Sequence, residues 1–125
     1  MFIYTISTFS LEFKACCPKV SPEKKVVVAG ASLDFTCTVE MSKSLPKYLS
    51  FKWFKKVNGT YLEIPDNQTY RKSGGTSVLM IENAQTTLPN GASYKCQMDY
   101  RGKIHSGYSL LVVFSGKFHL HDYSI

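Results

Sequence analysis

The sequence lacks long hydrophobic segments and is poor in both cysteine and acidic residues. No apolar run approaches the ~18 residues that a membrane-spanning helix requires, so these residues encode no such helix. Four cysteines among 125 residues are too few for a miniature scaffold held together by disulfides. Because 44% of the residues are hydrophobic and 19% are charged, a disordered or collagen-like chain is also excluded. The length suits a single domain.

Catalytic and metal-binding signatures are missing as well. The sequence contains no glycine-rich phosphate loop, no His-Glu-x-x-His motif and no Gly-x-Ser-x-Gly elbow. A zinc site built from Cys16, Cys17, His119 and His121 is disfavoured, because adjacent cysteines do not supply the usual spacing of zinc ligands. The two cysteines are expected to be free thiols, with pairing to another chain as the alternative. We predict a protein that is not an enzyme and holds no metal or cofactor.

The two ends carry only weak signals. No basic residue precedes Lys14, and the small-x-small triplet Thr8-Phe9-Ser10 comes too early for a secretory signal. Residues 1–17 are therefore expected to be a lead-in, either a poor signal peptide or an incomplete terminus. Residues 18–115 are predicted to form the domain, and residues 116–125 a tail or linker.

What the sequence does contain is alternation with a period of two. In the run Leu33–Val39, every second residue is apolar and the residues between them are polar, which is typical of a half-buried antiparallel strand. The dipeptide Asn58-Gly59 predicts a hairpin that turns the segment 51–57 back along the segment 61–64. Roughly seven or eight such runs, with turns about every 8–12 residues, predict an all-β sandwich or barrel.

A constellation of cysteine, tryptophan and tyrosine favours the sandwich. Cys37 and Cys96 lie in the middle of inward-facing strand patterns, and Trp53 lies between them on a third strand. Cysteines on two facing sheets can form one bridge across the core, with a large indole packed against it. Tyr94 stands two residues before the second cysteine, where a tyrosine corner would place its hydroxyl on a backbone carbonyl.

On these residues, positions 19–114 resemble an immunoglobulin domain and are most similar to the intermediate (I) set. The resemblance covers about three quarters of the chain, and the matching segments are Gly30–Cys37, Phe51–Lys55, Leu79–Ile81 with Ala84, Asn90–Cys96 and Leu111–Val113. It implies a Greek-key sandwich of two antiparallel sheets with one buried inter-sheet disulfide. The residues it assigns to the disulfide and the structural core are Cys37, Cys96, Trp53, Tyr94, Leu79 and Ile81.

Three features depart from the usual pattern of this family, and one of them is that the segment 85–89 is about two residues longer than the usual connection. Asn90 stands where the family usually has Asp, which removes any salt bridge from that position to an arginine such as Arg71. The connection between Cys37 and Trp53 is long and contains the segment 43–48 as an enlarged loop. These departures affect the expected loop shapes and leave the expected fold unchanged.

The net charge is +6, and the positive charge concentrates around Lys43, Lys47, Lys52, Lys55 and Lys56, with Lys95 on a neighbouring strand that is expected to pair with the third. Alternation outward from Trp53 and Cys96 predicts one surface patch that consists of Lys52, Phe54, Lys56, Lys95 and Gln97. An exposed aromatic residue rimmed by polar side chains is a candidate contact point. The alternative is an ordinary solvated sheet with one surface aromatic.

The resemblance to an immunoglobulin domain, together with the two sequons and the basic surface, implies a non-catalytic extracellular recognition module for cell adhesion, receptor or immune-type binding. Its expected partner is another protein, such as a cell-surface or matrix protein, or an acidic glycan; nucleic acid is disfavoured because no recognition motif accompanies the charge. Asn58 and Asn67 begin two glycosylation sequons and are candidate acceptors. The alternative is an intracellular domain of a filament or muscle scaffold protein, which the weak signal and the expected free thiols favour.

Overall fold

The computed structural model describes residues 18–39, 49–73, 75–100 and 102–116. Within these ranges the chain forms nine strands and one short 3-10 helix. The strands are β1 (Lys19–Ser21), β2 (Lys24–Val28), β3 (Leu33–Thr38), β4 (Ser50–Val57), β5 (Thr60–Glu63), β6 (Thr69–Ser73), β7 (Thr76–Ile81), β8 (Ala92–Tyr100) and β9 (Lys103–Phe114). The 3-10 helix, Asp66–Gln68, lies between β5 and β6.

The strands form two sheets that face each other across one core. The four-stranded sheet has the order β1-β3-β7-β6, and the five-stranded sheet has the order β2-β9-β8-β4-β5. All pairings are antiparallel except that of β2 with β9, which is parallel. The chain passes from one sheet to the other at Pro22 and Glu23, between β1 and β2. The predicted all-β sandwich is confirmed, with one parallel edge pair that alternation in the sequence does not reveal.

The Asn58-Gly59 hairpin sets the register of β4 against β5. Both turn residues have positive φ angles, 51° and 83°, as a two-residue turn between strands requires. Val57 therefore pairs with Thr60 and Lys56 with Tyr61. This register decides which side chains of β5 share the outer face with those of β4.

The core is centred on the predicted disulfide, which joins Cys37 of β3 to Cys96 of β8 with their Cα atoms 6.4 Å apart. The Trp53 side chain is only 1% exposed, and its indole N–H donates a 3.0 Å hydrogen bond to the hydroxyl of Ser77. Gly107 lies opposite Cys96, where an added Cβ would collide with the Pro18 carbonyl. The interior is therefore specified by covalent, polar and steric constraints together.

Several segments discussed above lie outside the described residues. These are the predicted lead-in 1–17, the segment 43–48 and the tail from residue 117 onward, so Cys16, Cys17, His119 and His121 receive no structural description. Within the part of the chain that the structure describes, no helix is long and apolar enough to cross a membrane.

Candidate functional site

The outer face of the five-stranded sheet brings the predicted contact residues together. Lys52 pairs with Gln97, and Phe54 pairs with Lys95, in the register of β4 with β8. Lys52 and Lys56 are exposed, whereas Phe54, Lys95 and Gln97 are half-buried among their neighbours. Alternation out from the disulfide and Trp53 thus places all five side chains on the side of the sheet that faces away from the core.

At the centre of this face, the ammonium group of Lys95 lies between two aromatic rings. Its Nζ atom is 4.6 Å from the centroid of Phe54 and 4.7 Å from that of Tyr61. The Nζ atom of Lys56 lies 5.7 Å from the Tyr61 centroid. Each such cation–π contact stabilises an exposed arrangement by about 0.5–1 kcal/mol. The rings therefore restrict the positions of the Lys56 and Lys95 ammonium groups, which stay on the outer face of the sheet.

Tyr61 and Tyr108 complete the arrangement. The hydroxyl of Tyr61 is 3.0 Å from that of Ser93, and its ring centroid is 6.1 Å from that of Tyr108, which is 55% exposed. We call the resulting group the lysine–aromatic cluster; its members are Lys52, Phe54, Lys56, Tyr61, Lys95 and Tyr108.

Sequence reasoning missed the two tyrosines of this cluster, although signals for both were present. A two-residue turn at Asn58-Gly59 fixes Lys56 opposite Tyr61, and strict alternation backward from the buried Leu111 turns Tyr108 outward. The step to Tyr61 requires a pairing register, whereas the step to Tyr108 requires only the period of β9.

The electrostatics of the cluster are dominated by its lysines. The carboxylate of Glu63 lies 4.0 Å from the Lys52 ammonium, and both side chains are about half exposed. A surface ion pair of this kind contributes roughly 0–1 kcal/mol and leaves both groups accessible to a partner. Since Lys56 and Lys95 are also on this face, the cluster is cationic and suits carboxylate-bearing partners.

The same outer face carries a second, apolar region, which lies toward the β2 edge of the sheet. Val26 is 54% exposed on β2, and Phe114 lies at the end of the paired strand β9. We call this region the β2–β9 apolar stripe; its members are Val26, Val28, Leu110, Val112 and Phe114. Sequence analysis did not identify it, because a parallel pairing of β2 with β9 has no local sequence signal.

The residues predicted to be structural lie between the two sheets, on the inner faces of β3, β4, β7 and β8. Trp53, Tyr94 and Leu79 are buried, and Ile81 packs partly buried against the same core. Burial raises the pKa of the Tyr94 hydroxyl above its usual value of 10.0. None of these side chains reaches the outer face.

The two sequon asparagines lie on exposed turns. Asn58 is in the hairpin between β4 and β5, and Asn67 is in the 3-10 helix between β5 and β6. Both side chains are exposed, so neither position is closed to a glycan by burial.

A cavity of about 210 Å³ opens at one end of the sandwich. Its floor includes the buried residues Leu79, Tyr94 and Leu111, and its rim includes Lys55 and Glu82. Within the described ranges, no group of three or more His, Cys, Asp or Glu side chains could hold a metal ion.

Comparison with known proteins gives structural matches alone. No family model matches the sequence, and no curated protein matches it significantly. A chain from a structure on T cell specificity and activation by the bacterial superantigen toxic shock syndrome toxin-1 superposes with a TM-score of 0.61 at 13% identity. The match covers 78% of this chain and 98% of that one.

A second solved structure is a complex of titin M10 with an immunoglobulin domain of obscurin-like 1. One of its chains superposes with a TM-score of 0.52 at 18% identity, covering 80% of this chain and 90% of that chain. The protein has an immunoglobulin-like fold. At these identities the likeness establishes the fold alone, because one fold can carry many unrelated functions.

Proposed function

We propose that this immunoglobulin-like protein is a non-catalytic recognition module that binds another protein through its lysine–aromatic cluster. The observation that carries the proposal is the position of Lys95, whose charge is held between the rings of Phe54 and Tyr61 on an exposed sheet face. Aromatic residues dominate the binding energy of many protein interfaces, and a polar rim around them excludes water.

The arrangement is suited to binding because much of it is fixed before a partner arrives. Tyr61 is hydrogen-bonded to Ser93 and flanked by two lysines, so little side-chain entropy remains to be lost on binding. A partner that places carboxylates near Lys56 and Lys95 would gain charge-assisted contacts over an aromatic floor. We therefore expect an acidic protein surface as the ligand.

We further propose an extracellular module of adhesion, receptor or immune type, related to the I set. The Cys37–Cys96 disulfide supports this location, because disulfides persist mainly in oxidising compartments. Exposed sequons at Asn58 and Asn67 are consistent with it. The likeness to a titin complex supports the alternative of an intracellular scaffold domain. Intact mass of protein from its native source, measured with and without a glycosidase and a reductant, separates the two.

Binding is tested with an array of purified cell-surface and matrix ectodomains, followed by titration of any ectodomain that binds. Lys95→Glu should weaken that binding by roughly 10- to 100-fold, because it reverses the charge at the centre of the contact. Lys19→Glu is the matched control, since Lys19 is exposed on β1 of the other sheet; it should change affinity less than about threefold.

Three results would contradict this proposal. One is an equal loss of affinity in both variants, which indicates attraction by net charge alone. Another is unchanged affinity in Lys95→Glu. The third is binding to sulfated oligosaccharides in place of any ectodomain, which would identify an acidic glycan as the ligand.

A further inference from the structure

The two sheets have four edge strands, and β2 is the least protected of them. β1 has three residues, β5 has four, and β6 contains an irregularity in its register between Arg71 and Ser73. β2 has five residues in continuous register with β9, and no described strand pairs with its other side. Short length, bulges and lysines are the usual means of protecting an edge. β2 has only the last of these, at Lys24 and Lys25.

The hydrogen bonds that flank β2 show which of its backbone groups are used. The carbonyl of Glu23 accepts a 2.9 Å hydrogen bond from the amide of Leu110, and the amide of Ala29 donates a 2.8 Å bond to the carbonyl of Phe114. In a parallel pair, both groups of one residue point to the same neighbour, and alternate residues point to opposite sides. The odd-numbered residues from 23 to 29 therefore face β9.

It follows that Lys24 and Val26 direct their N–H and C=O groups away from the sheet. These two residues are about 6.6 Å apart along the strand, the spacing at which an incoming strand presents its own donors and acceptors. Val28 points the same way, but its carbonyl already accepts a 3.1 Å hydrogen bond from Ala31. The free edge therefore offers the N–H and C=O groups of Lys24 and Val26, and the N–H group of Val28.

The side chains beside this edge form a gradient from charged to apolar. Lys24 and Lys25 are exposed at the beginning of the strand. Val26 and Val28, 54% and 40% exposed, follow at its end and belong to the β2–β9 apolar stripe. A strand added at this edge would place every second side chain against these two valines.

We propose that the free edge of β2 binds an extended segment of a partner protein, which becomes the sixth strand of the five-stranded sheet. Main-chain hydrogen bonds to Lys24 and Val26 would hold the segment, and its side chains would provide specificity. Charge complementarity selects a segment with acidic residues beside Lys24 and Lys25 and apolar residues beside Val26 and Val28. This surface is separate from the lysine–aromatic cluster and independent of the function proposed for it.

A second copy of this chain fits the edge less well than an acidic segment does. An antiparallel pairing of two β2 strands centred on Val26 would bring four lysines onto one short ladder, from two molecules that each carry a net charge of +6. In that register each lysine lies opposite a valine and meets no opposite charge, and high net charge opposes self-association. The occupant we infer is therefore a different, acidic chain.

The test uses a defined probe, the peptide acetyl-Val-Thr-Val-Thr-Glu-Thr-Glu-amide, titrated into the isotope-labelled protein. In the antiparallel orientation its two valines lie beside Val28 and Val26, and its first glutamate lies beside Lys24 on the same face. We expect amide shifts and slowed hydrogen exchange at Lys24 and Val26. Val26→Pro should weaken binding at least tenfold, because it removes a free edge N–H that β9 does not use.

Matched controls separate backbone pairing from other effects. Val26→Thr keeps the N–H and should bind within about threefold of the wild type, and Lys95→Glu should leave peptide binding unchanged. The proposal is overturned if Val26→Pro binds normally, if a lysine version of the peptide binds equally well, or if the shifts map to the lysine–aromatic cluster. Doubling of the molecular mass that Val26→Pro abolishes would also overturn it, since the occupant would then be a second copy.

Discussion

Two aromatic–serine pairs, one on each side of the five-stranded sheet, show how the same chemistry serves different purposes. Trp53 and Ser77 are joined by a 3.0 Å hydrogen bond between the sheets, where both residues are buried. Tyr61 and Ser93 are joined at the same distance on the outer face, where both are only half-buried. The inner pair has no access to water as an alternative partner, whereas the outer pair does.

This difference separates residues that specify the fold from residues that are available for contact. A buried donor that loses its partner costs its full desolvation penalty, while an exposed donor can bind water instead. The interior should therefore respond to substitution through stability. The outer face should respond through binding, with small changes in stability.

Removing the disulfide is the substitution with the largest expected effect on this contrast. Cys37→Val combined with Cys96→Ala opens a loop with a sequence separation of 59, and the chain-entropy model gives a loss of about 4 kcal/mol in the free energy of unfolding. Phe54→Ala on the outer face is the comparison and should cost less than about 1 kcal/mol, because the ring is already in partial contact with water. Denaturant unfolding measures both values.

A disulfide-free variant with nearly wild-type stability would contradict this contrast between the interior and the outer face. The same conclusion would follow if Phe54→Ala proved as costly as the double substitution. In that case the outer face would be part of the folding core.

Replacing each serine in turn provides a more closely matched comparison. Ser77→Ala leaves the buried indole N–H of Trp53 without its partner and should lower the free energy of unfolding by about 1–3 kcal/mol. Ser93→Ala removes the partner of the Tyr61 hydroxyl on the surface and should cost no more than about 0.5 kcal/mol. Denaturant unfolding gives the costs, and Trp53 fluorescence reports the change in its surroundings. Equal costs would show that water does not replace the outer partner.

The same contrast explains how much of the molecule could be predicted from its sequence. The interior was predictable because burial imposes a period of two on each strand separately, as in β3, where Leu33, Phe35 and Cys37 are all buried. Cys37, Trp53 and Cys96 could therefore be assigned to one core before any pairing was known. The Asn58-Gly59 turn was predictable for a local reason, since both positions require positive φ.

Residues of the outer face could be predicted only where the pairing of their strands followed from the buried residues. Lys52, Phe54 and Lys95 were identified because their strands pair next to the disulfide and Trp53. The β2–β9 apolar stripe was missed, because its position depends on the parallel register of β9 with β2. That register is set by contacts distant in sequence, which no local pattern records.

The smallest expected effect is the pH dependence of stability that arises from Tyr94. It tests the comparison between the interior and the outer face at alkaline pH. The Tyr94 side chain is 5% exposed and forms a tilted contact with Phe35 at 5.5 Å between ring centroids. Burial raises its pKa in the folded protein above the usual 10.0, so the unfolded chain loses this proton first as the pH rises. Folding then becomes less favourable above about pH 10, and below that pH the group has no effect on the pH dependence.

Tyr94→Phe should remove this alkaline loss while leaving the pH dependence below about pH 10 unchanged. The measurement is the difference in the free energy of unfolding between wild type and variant at a series of pH values, because every other ionisable group is common to both chains. We expect the wild type to lose stability relative to the variant as the pH rises past 10. A difference that is independent of pH would mean that the hydroxyl is solvated, and that the interior of the sandwich is more open at Tyr94 than its burial indicates.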